Sequence, residues 1–267
     1  MSEGEVARWE DGEDRLSQEM AELVGRLSTD DDMDVETRGR LLARLTRLLV
    51  ASARRAKAAG VGRGRWLADV VMEIVPRVPV RDLETLRRHH VGLTGEELAD
   101  SLVRSAQRAT TGVGAAGGAL AAIEFAAPPL LLTAPAQIIA ETVVVAMVET
   151  KLIAELHEVY GVQVPGNGTA RGAVFLQSWA QQRGFDPMQP GSMTAAFGVA
   201  AKTGLRKRLL RTVGRHLTTL GPFLTGALAG GALNRTATKR LADRIRGDLR
   251  RQQLGEVGQR PVEGGRP

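Results

Sequence analysis

Apolar positions recur along this chain with a helical period almost throughout. Leu16, Met20, Leu23, Val24 and Leu27 fall on one face of a helix over 14–27, after an acidic lead over 1–13 that carries no such pattern and reads as disordered. Leu41, Leu42, Leu45, Leu48, Leu49 and Ala56 share one arc of a helix over 35–59. Arg40, Arg44, Arg47, Arg54 and Arg55 occupy the opposite arc. The turn STDDDMD precedes that helix and Gly60 ends it. A short apolar helix over 65–75 stops at Pro76 and Pro79, and another over 80–90 closes in RRHH, with its bases at the negative end of the helix dipole. Thr94 and Glu97 have capping-box spacing and open a helix that turns Leu98, Leu102, Val103 and Ala106 inward.

That helix runs on into the least polar stretch, residues 112–148, whose only ionisable groups are Glu124 and Glu141. Pro128 and Pro129 break the stretch. Pro135 restarts it, and from Ile138 to Val148 nearly every position is apolar, which predicts a helix buried on most sides and closed by Gly161. A helix over 170–183 follows, then a loop with Ser192 as N-cap. A long helix over 193–219 is next. Gly221 and Pro222 separate it from a Gly/Ala helix ending at Asn234, and a basic helix over 236–253 completes the set. Residues 254–267 read as a disordered tail. No alternating strand pattern occurs, so the fold class is all-α. The expected organisation is an acidic arm over 1–35, one helical domain over 36–253 with a Gly/Ala-rich hub, and the tail. The uncharged runs 125–140 and 217–234 are broken by proline or diluted by glycine. A membrane span needs ~20 predominantly apolar residues, so buried or interfacially dipping helices are expected instead.

Charge changes this picture. Residues 1–36 hold thirteen acids against three arginines, whereas the rest holds seventeen acids against thirty-three bases. No acid occurs between Pro187 and Ala242. Within that window, a wheel with Leu205 at 0° puts Leu209, Leu210, Val213 and Leu217 at about 40–140°. Lys207, Arg208, Arg211 and Arg215 fall at about 200–300°, and Lys202 and Arg206 intrude on the apolar arc, reaching its edge with water by snorkelling. A basic amphipathic helix is the signature of a membrane surface, its plain alternative being the solvated face of a bundle helix. An anionic partner is expected: lipid headgroups, a membrane protein or the protein's own acidic arm. Nucleic acid is not, because single-strand binding relies on aromatic platforms and this helix has none.

No motif assigns a reaction. Gly112, Gly114 and Gly117 fit G-x-G-x-x-G, but a helical pattern precedes them where a strand is required. The G-x-x-x-G pairs Gly114/Gly118 and Gly226/Gly230 read instead as faces where helix backbones approach closely. His157-Glu158 begins an H-E-x-x-H pattern that fails at Gly161, and His89-His90 lacks acidic ligands, so no metal or cofactor is expected. The absence of Cys excludes disulfides and thiol nucleophiles and fits a reducing compartment. Glu124 and Glu141 are the candidate carboxylates. In so apolar a setting each must be paired or protonated, for structure or for acid/base work.

Three features together resemble the EcsC family over roughly 45–250. They are the Gly/Ala run before a double proline and a long apolar helix, that helix ending in KLIAELHEVYG with Tyr160-Gly161, and the closing pattern Pro222, Gly226, Gly230 and Asn234. The resemblance implies an all-helical, cytoplasmic, bacterial protein, peripheral at the inner face of the membrane. Founding members are encoded beside an ABC transporter pair, and the family has no established enzymatic activity, so no catalytic residue carries over. The expectation is a non-enzymatic accessory protein. An enzyme acting on a lipid-like substrate through Glu124 or Glu141, and a soluble interaction scaffold, are the alternatives.

Overall fold

The computed structural model describes residues 3–30, 32–58, 60, 63–75, 78–126, 134–166, 168–182 and 222–258, and every regular element among them is a helix. In chain order these are α1 (Glu3–Thr29), α2 (Val35–Ala58), α3 (Arg63–Ile74), α4 (Leu83–His89), α5 (Gly95–Ala126), α6 (Ala134–Tyr160), α7 (Gly168–Gln182) and α8 (Pro222–Gly258). The protein is all-α.

The helix α6 is the axis. Val143, Val144, Met147, Ile153 and Leu156 are fully buried, because α1, α2, α4, α5, α7 and α8 all pack on it. Its starting signal is Pro135, a first-turn position where the missing N–H costs nothing, and its stop is Gly161 at φ +67°. The α2 start is also local chemistry. Asp34 accepts the Thr37 N–H at 2.8 Å, and this hydrogen bond holds the Asp34 carboxyl below its usual range.

α5 and α8 form the most extensive helix pair and run antiparallel. Gly114 lies against Gly230, Thr110 bonds Thr238, and Arg246 bonds Asp100. A Cβ on Gly114 would stand 2.5 Å from the Gly230 carbonyl oxygen, so the two backbones touch. Asn234 Nδ2 donates to Thr110 O at 3.0 Å beside that contact.

Three expected boundaries move. The acidic lead is helical from Glu3, and Met20, Leu23, Val24 and Leu27 of α1 are core residues. Half of the expected arm over 1–35 therefore belongs to the domain, because its apolar face is buried there. The break expected after Asn234 is absent, and α8 runs unbroken to Gly258, beyond the start of the tail expected at 254. Asn234 bonds across to α5, which leaves its own backbone free to stay helical. The Ser192 cap, the helix expected over 193–219 and the Pro128-Pro129 break lie outside the described residues.

Candidate functional site

The Glu149 carboxylate on α6 is fully buried, at 0% exposure. Trp179 Nε1 of α7 donates to its Oε2 at 2.8 Å, and Thr238 Oγ1 of α8 donates to its Oε1 at 2.9 Å. Donation to Glu149 fixes the Thr238 hydroxyl as acceptor toward Thr110 Oγ1 of α5, 3.0 Å away. One carboxylate thus joins four helices through fixed donors.

One and a half turns on, Glu155 is 2% exposed. Arg81 reaches it from the loop before α4, through Nε at 2.8 Å and Nη2 at 3.0 Å, and Lys151 Nζ lies 2.5 Å away. Burial pushes this carboxyl up. The Arg81 hydrogen bonds and the two cations outweigh burial, and the pKa falls below its ordinary value. Breaking such a pair by removing one partner leaves a buried charge uncompensated.

Arg38 is the third buried polar anchor. It is fully buried, and its guanidinium donates to Leu27 O at 3.0 Å and Asp30 O at 2.6 Å. It satisfies carbonyls at the C-terminal end of α1, where the helix dipole favours a cation. It lies over Gly112, where a Cβ would stand 2.6 Å from its Nε.

At the other end of α5, Glu96 accepts from Arg246, Arg250 and Tyr160, and Asp100 accepts from Arg246 at 2.6 Å. The Arg250 bond contributes most to holding the Glu96 carboxyl at about 2, against opposing desolvation, with Arg246 and Tyr160 adding to it. A carboxyl depressed on folding contributes stability above its unfolded value of 4.5, and that contribution is lost as pH falls toward 2. Glu96 is 51% exposed, so water and salt screen the cluster. Thermal melts between pH 5 and pH 2 should show a drop that shrinks in Glu96→Gln. An unchanged drop would place the acid sensitivity elsewhere.

An open groove of about 460 Å³ lies between the end of α6, α7 and α8, lined by His157, Gln182, Asp248, Leu249 and Arg251 among others. His157 Nδ1 meets Ile153 O at 2.8 Å, so Nδ1 carries the proton and Nε2 the lone pair. Burial lowers its pKa and keeps the ring neutral. Asp248 is tied to Arg251 and to Gln182 Nε2. Among the described residues no group of three His, Asp or Glu could hold a metal ion.

The expected site residues separate clearly. Gly114 and Gly230 meet. Gly118 is buried in α5, and Gly226 lies in the first turns of α8. Glu141 is half-buried on α6, accepts from Gln137 Nε2 at 2.9 Å, and lies where a Cβ on Gly117 would be. Gly112, Gly114 and Gly117 therefore make room for Arg38, Gly230 and Glu141 inside a helix, and the dinucleotide fingerprint has no strand to follow. Glu124 lies in α5, with its side chain outside the described residues, as are Lys202, Arg206, Lys207, Arg208, Arg211 and Arg215 altogether.

Sequence reading missed Arg38, Glu149 and Glu155. Arg38 precedes Leu41, Leu42 and Leu45 by three, four and seven residues, which places it on the apolar arc of α2. Glu149 and Glu155 lie in the second half of α6, after a largely apolar and mostly buried first half, so return of polarity there signals a buried network rather than solvent. Comparison of the chain with protein-family models, curated proteins and solved structures gives no match.

Proposed function

We propose that this protein is a non-enzymatic accessory protein of an anionic membrane surface, bound peripherally at the inner face of the membrane through lipid headgroups or a membrane protein. The observation that carries the reading is the outward face of α8. Arg235, Lys239, Arg240, Arg244, Arg250 and Arg251 are exposed there, with Asp243 the exposed acid among them, and Leu233 and Leu254 are exposed at the two ends. That face continues the acid-free window of the sequence, which adds Lys202, Arg206, Lys207, Arg208, Arg211 and Arg215. A cation-rich helix face with exposed leucines suits the headgroup region, where each basic group contributes about 1 kcal/mol. The resemblance to the EcsC family points the same way, toward a role beside a transporter.

The carboxylates support the non-enzymatic half of the reading. Glu149 is held by donors from α7 and α8 and Glu155 by Arg81 and Lys151, an arrangement that uses both carboxylates to join parts of the fold. No helix among the described residues is long and apolar enough to cross a membrane, which fits attachment from one side.

Vesicle co-sedimentation tests the reading. Binding should be tighter to anionic than to neutral vesicles and weaken as salt shortens the Debye length from ~10 Å at 0.1 M. Replacing Lys207, Arg208, Arg211 and Arg215 with Gln should weaken it by tenfold or more. Equal binding to neutral vesicles at high salt would sink the charge-based reading.

A further inference from the structure

Six cations are exposed on the outward face of α8, and they are not equally available. Lys239 bonds Asp243 at 2.8 Å and Arg251 bonds Asp248, so each carries an acid about one turn away on α8 itself. Arg244 donates to the Gln182 carbonyl oxygen at 2.8 Å. Among the described residues, Arg235 and Arg240 have no carboxylate partner, and Arg250 alone of the six is held by an acid of another helix, Glu96 at the start of α5.

The hold is bidentate. Arg250 Nε donates to Glu96 Oε1 at 2.8 Å and Nη2 to Oε2 at 2.6 Å, a geometry stronger and more oriented than an ordinary exposed pair. Arg246 shares the same carboxylate, but the two arginines differ in what else holds them. Arg246 also donates to Asp100 and to the Tyr160 hydroxyl, and its side chain is 12% exposed. Arg250 has only Glu96 among the described residues, and its side chain is 50% exposed. Arg246 therefore clamps α8 to α5. Arg250 can let go without undoing the clamp, because Glu96 keeps Arg246 and Tyr160 as donors. Its place on the helix makes this matter. Arg250 follows Lys239 by eleven residues, three helical turns, so the two lie on one line about 16 Å apart along α8. A surface laid along that line reaches both. Turned onto Glu96, the Arg250 charge is locally cancelled, and the surface meets a neutral pair instead of a cation.

We infer that Glu96 masks Arg250 and so divides the α8 face: Arg235, Arg240 and Arg244 meet the anionic lipid surface, and Arg250 is withheld from it. The inference rests on the membrane reading above and adds to it which cations make contact and what restrains the remaining one. Glu96 stays ionised down to about pH 2, so mild acid leaves the mask in place.

Co-sedimentation of the full chain with vesicles of one-third phosphatidylserine in phosphatidylcholine tests the mask. Glu96→Gln should tighten binding at least threefold, with an unchanged circular dichroism spectrum, and the gain should vanish once Arg250→Gln is added. A gain of the same size in both backgrounds would show that one lost negative charge, and not an unmasked arginine, is responsible, and would overturn the mask. Two single substitutions give a second reading that leaves Glu96 in place and decides the matter even where Glu96→Gln does not fold. Arg250→Gln should bind within twofold of the unaltered chain, whereas Arg240→Gln should bind at least threefold more weakly. Equal losses in the two, or a loss in neither, would overturn the division of the face while leaving the charge-based reading intact. Absence of binding by the unaltered chain to these vesicles would overturn both.

Discussion

Replacing Trp179 with Ala is expected to lower stability by about 3–5 kcal/mol, a large share of the ~5–15 kcal/mol typical of a folded domain. Trp179 is the first of the largest fully buried side chains, on α7 where that helix packs against α6. Removing it leaves a cavity and also takes away a donor to a fully buried carboxylate. Trp179→Phe separates the two effects. It keeps most of the volume and removes the N–H, so the loss should fall to about 1–3 kcal/mol. Combining Trp179→Phe with Glu149→Gln in a double-mutant cycle should give a coupling of at least 0.5 kcal/mol, since the groups bond directly. A cycle that closes to zero would mean Glu149 does not hold α7. Urea midpoints read all four variants.

Gly230→Ala should be destabilising although Ala is the better helix former. Propensity favours the change by about 0.8–1.0 kcal/mol. Against that, the new Cβ would meet the carbonyl group of Gly114, with its carbon at 2.9 Å. The obstacle is backbone, which has no rotamer to move into, so the helices must separate. Overpacking costs about 1–3 kcal/mol, and separation also stretches the Asn234–Thr110 and Thr110–Thr238 hydrogen bonds. The clash should win by about 1–2 kcal/mol, and Gly230→Val should cost more again. Gly25→Ala is the control. It sits inside α1 with nothing within 4 Å of the new methyl, so it should stabilise by about 0.5–1 kcal/mol. If both glycines respond with the same sign, contact between α5 and α8 is not what selects Gly230.

These two sites differ in how far they could be read from the chain. Gly114 and Gly230 were legible because G-x-x-x-G removes side chains at helical spacing, and a bare face has few uses other than close approach. The partner of each glycine was not legible, since pairing across more than a hundred residues leaves no local trace. Glu149 was passed over for the opposite reason. Its neighbours Glu149-Thr150-Lys151 look like the wet end of a helix, and only the Thr238 and Trp179 donors, brought in by tertiary packing, make the position tolerable. Arg38 shows that wheel position outranks residue type, for an arginine on the apolar arc is buried with its charge spent on carbonyls. Element boundaries failed where one side chain could either stop a helix or bond across it, as at Asn234.

The antiparallel pairing of α5 with α8 also sets an order of events during synthesis. α5 is complete once Ala126 has left the ribosome, yet Thr238, Arg246 and Arg250 emerge more than a hundred residues later. At ~5–20 residues per second the Gly114 face and the Glu149 carboxylate wait on the order of ten seconds for their partners. During that interval the glycine face of α5 stands uncovered by the helix that closes it in the folded chain.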